Sequence, residues 1–429
     1  MKEIGIGLLG FGTVGAGVVK DLQRNGDLLA MRLGLRPVVR RIADLDLESD
    51  RGVDVPDGVL CNDADSVIND PECQIIVELV GGTTAADRMV RKALENGKPV
   101  VTANKALLAE KGADIFELAG GCGADLYFGA SVGGGIPIIR VLREGLIGNR
   151  VHSIYGILNG TCNYILTRME RERLPFGEVL AAAQEQGYAE ADPSLDIDGL
   201  DTAHKAVILA SLACGRIVSM DSVYVEGIRG LEQADIRYAL DLGYRIKMLA
   251  VIKQDGDMVE VRVQPALVPL DHMLASVSGV FNAVMIRSDL LGDTLYYGKG
   301  AGNDPTASTV IGDIADICRN IAGGAVRHVP PVPRFGNAQI KCMSEIRTRY
   351  YLRMSVLDKP GAFARIADRL GRNNVSIASV LQKEVGTGKF VPVVLVTHEA
   401  TEQEISSAIK EIDDDEVVGA GTVKLIIEE

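Results

Sequence analysis

The chain is 429 residues long, which predicts two or three domains, and 24% of its residues are charged, with a formal net charge of −13. No basic stripe is available to neutralise phosphates and no apolar run is long enough to span a bilayer, so we expect a cytoplasmic protein without nucleic-acid or membrane partners. The seven cysteines are odd in number and form no CxxC pair, which argues against a disulfide framework and a thiolate zinc site.

The first elements predict a dinucleotide-binding unit. Residues 4–9 are typical of a buried strand and residues 13–24 of a helix. Between them a G-x-G-x-x-G sequence offers a tight turn whose backbone N–H groups can approach a pyrophosphate at the helix N-terminus, although a purely structural glycine turn is the alternative. Its residues are Gly10, Phe11, Gly12, Thr13, Val14 and Gly15. A second strand, 37–43, ends at Asp44, which can accept ribose hydroxyls.

Strands and helices then alternate, which predicts an α/β unit with a doubly wound parallel sheet over residues 1–130. The further strands are expected at 74–80, 99–101 and 125–128, and the helices at 85–96 and 106–118. Lys105 directly follows one of these strands. Ligands bind outside the carboxyl ends of strands in such sheets, so Lys105 is either a cation of the reaction centre or an ordinary surface residue at a helix start.

In residues 131–303 the regular alternation of strand and helix ends, which predicts an α+β substrate domain. We expect helices at 136–146, 162–171, 176–185 and 202–213, a strand at 151–158, and a hairpin formed by 248–253 and 258–265. A helix over 304–322, with Asp304 as N-cap and Pro305 in its first turn, is predicted to return to the nucleotide-binding unit. A linker follows at 329–348, where Val329 to Pro333 is rich in proline.

The last part of the chain, 349–429, predicts a separate compact unit. Strands are expected at 350–356, 376–382, 391–397 and 422–427, with helices at 361–373 and 401–412. The resulting β-α-β-β-α-β order is that of a ferredoxin-like fold.

The strongest chemical signal is the spacing of Asp201 and Lys205, which lie four residues apart at a helix start. A simple ion pair explains this spacing. The preceding loop, with Glu190, Asp192, Asp196 and Asp198, raises a metal site as an alternative, but it lacks the spacing of a calcium-binding EF-hand. An amino-acid substrate needs carboxylates for its ammonium and a cation near its reacting oxygen, and Lys105, Glu190, Asp201 and Lys205 could supply that set.

Several motifs together resemble those of homoserine dehydrogenase with a C-terminal ACT domain, over essentially the whole chain. Besides the glycine-rich turn they are VTANKAL (101–107), ASVGGGIP (130–137), LNGT (158–161), GLDTAHK (199–205), YGKGAG (297–302) and PTAS (305–308). The resemblance implies reversible reduction of L-aspartate 4-semialdehyde to L-homoserine with NAD(P)H. It makes Lys205 the proton donor, places Lys105 between cofactor and substrate, and assigns substrate binding to Glu190, Asp201, Gly160 and Thr161 and cofactor binding to Gly187 and Gly302.

Two residues depart from the pattern of that family. Relatives often have a glutamate where this chain has Gly129, as one ligand of a monovalent cation that backbone carbonyls otherwise hold. Val132, Gly134 and Ile136 could still offer carbonyls, but without the carboxylate we do not expect bound sodium. Many relatives also carry an arginine suited to a 2′-phosphate near the end of the second strand. Asp44 stands there instead, while Arg40, Arg41 and Arg51 lie nearby in sequence, so NAD versus NADP stays open.

The ACT resemblance implies a homodimer or homotetramer that binds an amino-acid effector near the turn Asp358-Lys359-Pro360-Gly361, and we expect this effector to be L-threonine. Two other functions remain open from the residues alone. One is a thioester-forming aspartate-semialdehyde dehydrogenase with Cys162 as nucleophile. The other is a catalytically idle amino-acid sensor.

Overall fold

The computed structural model describes residues 1–324, 336–383, 386, 388–419 and 421–428. Its first sheet contains six parallel strands in the order β3-β2-β1-β4-β5-β6. These strands are β1 Lys2–Leu9, β2 Leu35–Ala43, β3 Leu60–Cys61, β4 Ile75–Glu78, β5 Val100–Thr102 and β6 Leu126–Tyr127. The accompanying helices are α1 Thr13–Leu33, α2 Ala64–Asn69, α3 Ala85–Glu95 and α4 Lys105–Cys122. The strand order reverses at β1, which opens a ligand crevice at the carboxyl ends of β1 and β4 and confirms the doubly wound fold.

The middle of the chain forms a mixed sheet with helices against it. Its helices are α5 Ile138–Arg140, α6 Gly160–Glu172, α7 Phe176–Glu185, α8 Ser194–Ile197, α9 Leu200–Cys214 and α10 Gln233–Asp241, and the region is followed by α11 Asn303–Gly323. Its strands are β7 Val151–Ile157, β8 Tyr224–Val225, β9 Tyr244–Asp255, β10 Met258–Pro269, β11 Phe281–Ser288 and β12 Gly292–Lys299. The predicted hairpin is β9 and β10, paired antiparallel from Tyr244 to Pro269.

Two predictions for this region were wrong in detail. Only Ile138–Arg140 of the helix expected at 136–146 is α-helical, and Val141–Gly145 widens into a π-helical turn. Helix α11 begins at Asn303 with Gly302 as its N-cap, so Asp304 lies inside the first turn and does not cap it. The cap position requires non-helical dihedral angles, and Gly302 supplies them at φ 120°.

Helix α11 packs back on the first sheet, as the sequence predicts. Its buried face, formed by Ala307, Val310, Ile314, Ile317 and Cys318, shares one core with residues of β1 and α1. The same helix starts beside the glycine-rich turn, because the position of a side chain at Gly17 of α1 is filled by the amide of Asn303. Helix α11 therefore contacts α1 close to the glycine-rich turn.

The C-terminal unit has the predicted β-α-β-β-α-β order, with two additional short strands, which pair with β10 and with the first strand of that order. Its elements are β13 Gln339–Ile340, β14 Arg347–Leu357, α12 Ala362–Arg372, β15 Ile377–Leu381, β16 Phe390–Thr397, β17 Ala400–Thr401, α13 Glu402–Asp413 and β18 Val423–Ile427. The sheet order β18-β14-β16-β15 is ferredoxin-like. Within the range predicted as a linker, β13 pairs with β10, whereas Val329 to Pro333 lies outside the described residues.

The C-terminal unit shares a sheet with the middle region. Strand β18 pairs with β14 on one side and, in parallel, with β10 on the other, which gives a sheet of twelve strands among the described residues. A buried ion cluster lies at this junction: Arg262, with no exposed surface, bonds to Glu260 (2.7 Å) and to Glu428, which also pairs with Lys253 (3.0 Å). None of the helices in the described ranges is long and apolar enough to cross a membrane.

Candidate active site

The glycine-rich turn has the shape that a dinucleotide requires. Gly10 adopts φ 95°, and a side chain there would collide with the backbone of Leu79, 2.7 Å from its Cβ. A side chain at Gly15 would meet the carbonyl oxygen of Gly10 at 2.2 Å, whereas nothing lies within 4 Å of such a position at Gly12. Gly12 also gives α1 no side-chain cap, so no cap side chain occupies the first N–H groups of the helix. These features fit a pyrophosphate bound by backbone amides.

Asp44 lies beside the same turn, where the ribose of a bound dinucleotide is expected. Its Oδ2 accepts a hydrogen bond from the backbone N–H of Phe11 (2.5 Å), and its Oδ1 accepts one from the N–H of Asp46 (2.9 Å). The carboxylate is thus fixed next to the glycine-rich turn, at the carboxyl end of β2. A ribose bound there would meet an acceptor, as the sequence predicts.

A buried hydrogen-bond network sets the start of α4, and sequence reasoning missed its key residue. The Glu78 carboxylate, at the end of β4, accepts bonds from the N–H of Val80 (2.9 Å) and from the hydroxyl of Thr102 (2.6 Å). Thr102 in turn accepts the N–H of Asn104 (3.0 Å), whose side chain caps α4. The signal was present: Glu78 is a charged residue inside an apolar run, and it is fully buried.

This network positions Lys105, the first residue of α4, over the crevice. Its Nζ lies 3.3 Å from Oδ1 of Asp201, and its side chain remains 40% exposed. The Lys105 side chain is therefore accessible from the crevice, and its ammonium is paired with the carboxylate of Asp201 on α9. The structure brings together two residues that sequence spacing could not connect.

Asp201 is the centre of the charged cluster. Its Oδ2 accepts bonds from Nζ of Lys205 (2.6 Å) and from the side-chain amide of Asn159 (2.9 Å). Burial would raise the pKa of Asp201, but Lys205 and Lys105 hold that pKa well below its usual value. The carboxylate is consequently ionised at neutral pH and fixes both ammonium groups.

Lys205 is almost completely buried and keeps one donor unused among the described residues. Its Nζ donates to the carbonyl of Leu158 (2.7 Å) and to Asp201, and an ammonium group has three N–H donors. The third can meet a substrate oxygen in the crevice. This geometry suits a group that stabilises a developing negative charge and supplies a proton.

The loop residues assigned to the substrate and cofactor are brought together only in part. Gly160 begins α6 after the cap Asn159, and the hydroxyl of Thr161 lies 2.9 Å from Oδ2 of Asp196 and 2.8 Å from the carbonyl of Tyr188. Thr161 therefore links α6 to the loop after α7 that carries Gly187 and Glu190. Within the described residues the Glu190 carboxylate, which is exposed, has no hydrogen bond or ion pair.

Comparisons with known proteins decide the family. The model for homoserine dehydrogenase matches residues 137–315, its NAD-binding domain model matches 10–129, and the ACT domain model matches 350–414. Homoserine dehydrogenases of Neisseria gonorrhoeae and Pseudomonas aeruginosa are 44% and 42% identical, with 96% and 100% of each chain covered. The chain belongs to the homoserine dehydrogenase family. It is an NAD(P)-dependent oxidoreductase.

Solved structures of homoserine dehydrogenases agree. A homoserine dehydrogenase from Thiobacillus denitrificans has a TM-score of 0.95 and 41% identity, covering 100% of this chain and 99% of that one. A hyperthermophilic archaeal homoserine dehydrogenase in complex with NADPH has a TM-score of 0.62 and 28% identity, covering 76% of this chain and all of that one. The predicted family and fold are confirmed.

The loop predicted from the family resemblance as a cation site, at residues 129–136, is bonded to a carboxylate from α11 in this chain. The N–H of Gly129 donates to Oδ2 of Asp313 (2.8 Å), and a Cβ at Gly129 would lie 2.9 Å from the other oxygen of that carboxylate. Burial raises the pKa of Asp313 to about 7, against the opposing effects of the Gly129 N–H and of Arg140 and Arg143.

The carbonyls of this loop already have partners in two of the three predicted positions. The hydroxyl of Thr309 donates to the Gly134 carbonyl (2.7 Å), and the N–H of Ile138 donates to that of Ile136 (2.7 Å). No group of three or more His, Cys, Asp or Glu side chains in the described ranges could hold a metal ion. That a cation is not bound through Val132, Gly134 and Ile136 stays a prediction.

The geometry argues against Cys162 as a nucleophile. Burial raises the pKa of its thiol well above the ordinary value, and the carboxylates of Asp196 and Asp201 raise it further. Its sulfur is completely enclosed and lies 3.2 Å from the carbonyl of Asp196. The thiolate that a thioester mechanism needs is therefore strongly disfavoured.

Proposed function

We propose that this protein catalyses the reversible reduction of L-aspartate 4-semialdehyde to L-homoserine with NAD(P)H. The observation that supports this most strongly is the joint contact of Lys105 and Lys205 with Asp201, at the carboxyl edge of the nucleotide-binding sheet. Two cations fixed by one carboxylate suit a reaction in which a neutral carbonyl oxygen becomes negatively charged. The bound nicotinamide supplies or accepts the hydride, and the protein supplies orientation and charge.

In this proposal Lys205 donates the proton to the carbonyl oxygen during reduction. Its two bonds, to Leu158 and Asp201, aim the remaining N–H donor. Lys105 lies between the cofactor and the substrate and adds a second positive charge. Asp201 keeps both lysines in place, and its negative charge offsets the repulsion between their two ammonium groups.

The amino-acid end of the substrate is assigned to two segments. The N-terminus of α6, at Gly160 and Thr161, offers backbone N–H groups to a carboxylate, and Glu190, whose own carboxylate is unpaired within the described residues, offers a partner for the ammonium. Gly10 to Gly15 and Asp44 are assigned to the cofactor. Gly187 and Gly302, each in a backbone conformation that favours glycine, are proposed to border it.

The proposal divides the chain by role. Residues 1–130, with the helix predicted at 304–322, bind the cofactor, and residues 131–303 bind substrate and form the dimer contact. Residues 349–429 form a regulatory unit that responds to an amino acid, for which L-threonine, the end product of a pathway through homoserine, is the proposed effector. A homodimer or homotetramer follows from the pairing expected of ACT domains.

A spectrophotometric assay with L-homoserine and either NAD+ or NADP+ tests the proposed reaction. Reduction of the cofactor that depends on L-homoserine is expected. Activity should survive in Cys162→Ala, because the proposed chemistry needs no thiol. If Cys162→Ala alone abolished turnover, a thioester mechanism would replace this one. If no cofactor supported turnover, the non-catalytic sensor would remain.

A further inference from the structure

The loop between β2 and β3 brings one arginine back to the ribose end of the cofactor site. Of the three arginines near Asp44 in sequence, two are held elsewhere: Arg40 pairs with Glu3 (2.5 Å), and Arg41 lies 3.4 Å from Asp70. Arg51 alone faces Asp44, with Nη2 3.9 Å from its Oδ1. Of the three arginines that the sequence offers as ligands of a 2′-phosphate, the structure thus places only Arg51 beside Asp44.

Arg51 is restrained by the same loop rather than by Asp44. Its Nη2 donates to Oδ2 of Asp46 at 3.0 Å, while its Nε is buried and has no partner among the described residues. The other oxygen of Asp46 accepts bonds from the N–H groups of Glu48 (3.1 Å) and Ser49 (3.0 Å), so the loop is locally ordered. The guanidinium therefore retains unused donors next to the ribose site.

The charged side chains around the expected ribose position have opposing effects on cofactor choice. Asp44 and Asp46 repel a phosphate, which favours NAD(H), and the Asp44 carboxylate can accept ribose hydroxyls. A guanidinium presents a planar fork of donors that matches phosphate oxygens, which favours NADP(H). The balance depends on whether Arg51 can leave Asp46 for a ligand.

We propose that Arg51 is the residue that binds the 2′-phosphate of NADP(H), and that its bond to Asp46 sets how well the enzyme accepts NADP(H) beside NAD(H). The proposal rests on the proposed cofactor site and names its specificity-determining residue. In the phosphate-bound state Arg51 exchanges its bond with Asp46 for one or two with the phosphate. In the NAD-bound state it stays on Asp46, and Asp44 alone meets the ribose.

Binding measurements on the full chain test this independently of catalysis. Calorimetry would compare adenosine 2′,5′-bisphosphate with adenosine 5′-monophosphate in the unmodified protein, in Arg51→Gln and in Asp46→Asn. We expect Arg51→Gln to weaken the bisphosphate by roughly 10- to 100-fold and the monophosphate hardly at all, since one charged hydrogen bond is lost. Asp46→Asn keeps the acceptor that orders the loop but releases Arg51, so it should strengthen the bisphosphate. Arg40→Gln is the matched control and should change neither.

Steady-state kinetics provide a second test of the role of Arg51. The ratio of kcat/KM for NADP(H) to that for NAD(H) should fall in Arg51→Gln and rise in Asp46→Asn. Bisphosphate affinity equal in the unmodified protein and Arg51→Gln would overturn the assignment. Bisphosphate binding that depends on Arg51, in a protein without homoserine turnover, would uphold the assignment and refute the proposed reaction instead.

Discussion

The carboxylate of Asp201, on α9, lies 3.3 Å from the ammonium of Lys105, on α4, although α4 accompanies the first sheet and α9 belongs to the middle region. This contact crosses the crevice between the nucleotide-binding sheet and the middle region. It brings a lysine from each side onto one buried carboxylate, because Lys205 contacts the same group at 2.6 Å.

Replacing Lys205 by alanine should abolish most turnover while leaving the fold intact. The group acts mainly on the charge that develops in the transition state, so kcat should fall by about 10²- to 10⁴-fold, with a smaller change in KM. Kinetics combined with circular dichroism checks this, and Lys92→Ala, which removes a surface partner of Asp65, is the control. Near-normal kcat would transfer the role of proton donor to Lys105.

NAD(H) should be used at a measurable rate, because Asp44 stands at the ribose end of the site and is fixed by the N–H of Phe11. Asp44→Arg should shift preference towards NADP(H), since it removes a repulsive carboxylate and adds a phosphate ligand. The comparison is kcat/KM for both cofactors in both proteins. Strict NADP(H) use by the unmodified enzyme would mean that nearby arginines outweigh Asp44.

Asp313 should make the free energy of unfolding depend on pH on the acidic side of neutrality. Its folded pKa of about 7 exceeds the ordinary 3.8, so the native state holds a proton that the unfolded chain releases. Stability from this group is fully present below about pH 4 and is lost as pH rises to about 7, by an amount on the order of 4 kcal/mol. Asp313→Asn cannot ionise and should lack this decline in urea denaturation at several pH values. Parallel pH profiles for the two proteins would show that the carboxyl titrates normally.

Activity should respond little when sodium is replaced by a bulky organic cation at constant ionic strength. Gly129 offers no carboxylate, and its amide is already bonded to Asp313. The measurement is kcat/KM across a series of sodium concentrations. A large, saturable activation would show that the carbonyls of Val132, Gly134 and Ile136 suffice to bind the ion.

L-Threonine should bind the full chain and lower its activity, through different affinity for two conformations. The proposed contact is the turn that ends at Gly361, which has φ 88° and begins α12 without a side-chain cap. Gly361→Val strains this turn and should weaken both the heat of binding and inhibition, whereas Gly371→Ala, on the same helix with open space around it, should not. Neither heat nor inhibition at millimolar threonine would leave the unit with another ligand or an assembly role.

Local patterns in the sequence predicted much of the fold. The glycine-rich turn, the β9–β10 hairpin and the return of α11 follow from periodicity and turn chemistry, which act over short distances. Strands β11 and β12 were not predicted: β11 is an almost continuously buried run without alternation, and β12, Gly292–Lys299, is half-exposed. Contacts between distant segments could not be predicted from the sequence: nothing in the spacing of Lys105 and Asp201 indicates that the two side chains are in contact. Glu78 stands out in the sequence as a charged residue in an apolar run, but its hydrogen bond to Thr102 is known only from the fold.

The shared sheet has a consequence for how the molecule unfolds. Because β18 pairs with both β10 and β14, opening the C-terminal unit would remove the Glu428 carboxylate from Arg262, which is fully buried in the middle region and would keep only Glu260 as a partner. Losing one partner of such a buried pair costs about 3–5 kcal/mol. The middle region and the C-terminal unit are therefore expected to melt in one cooperative transition. In such a transition the C-terminal unit would not unfold before the middle region.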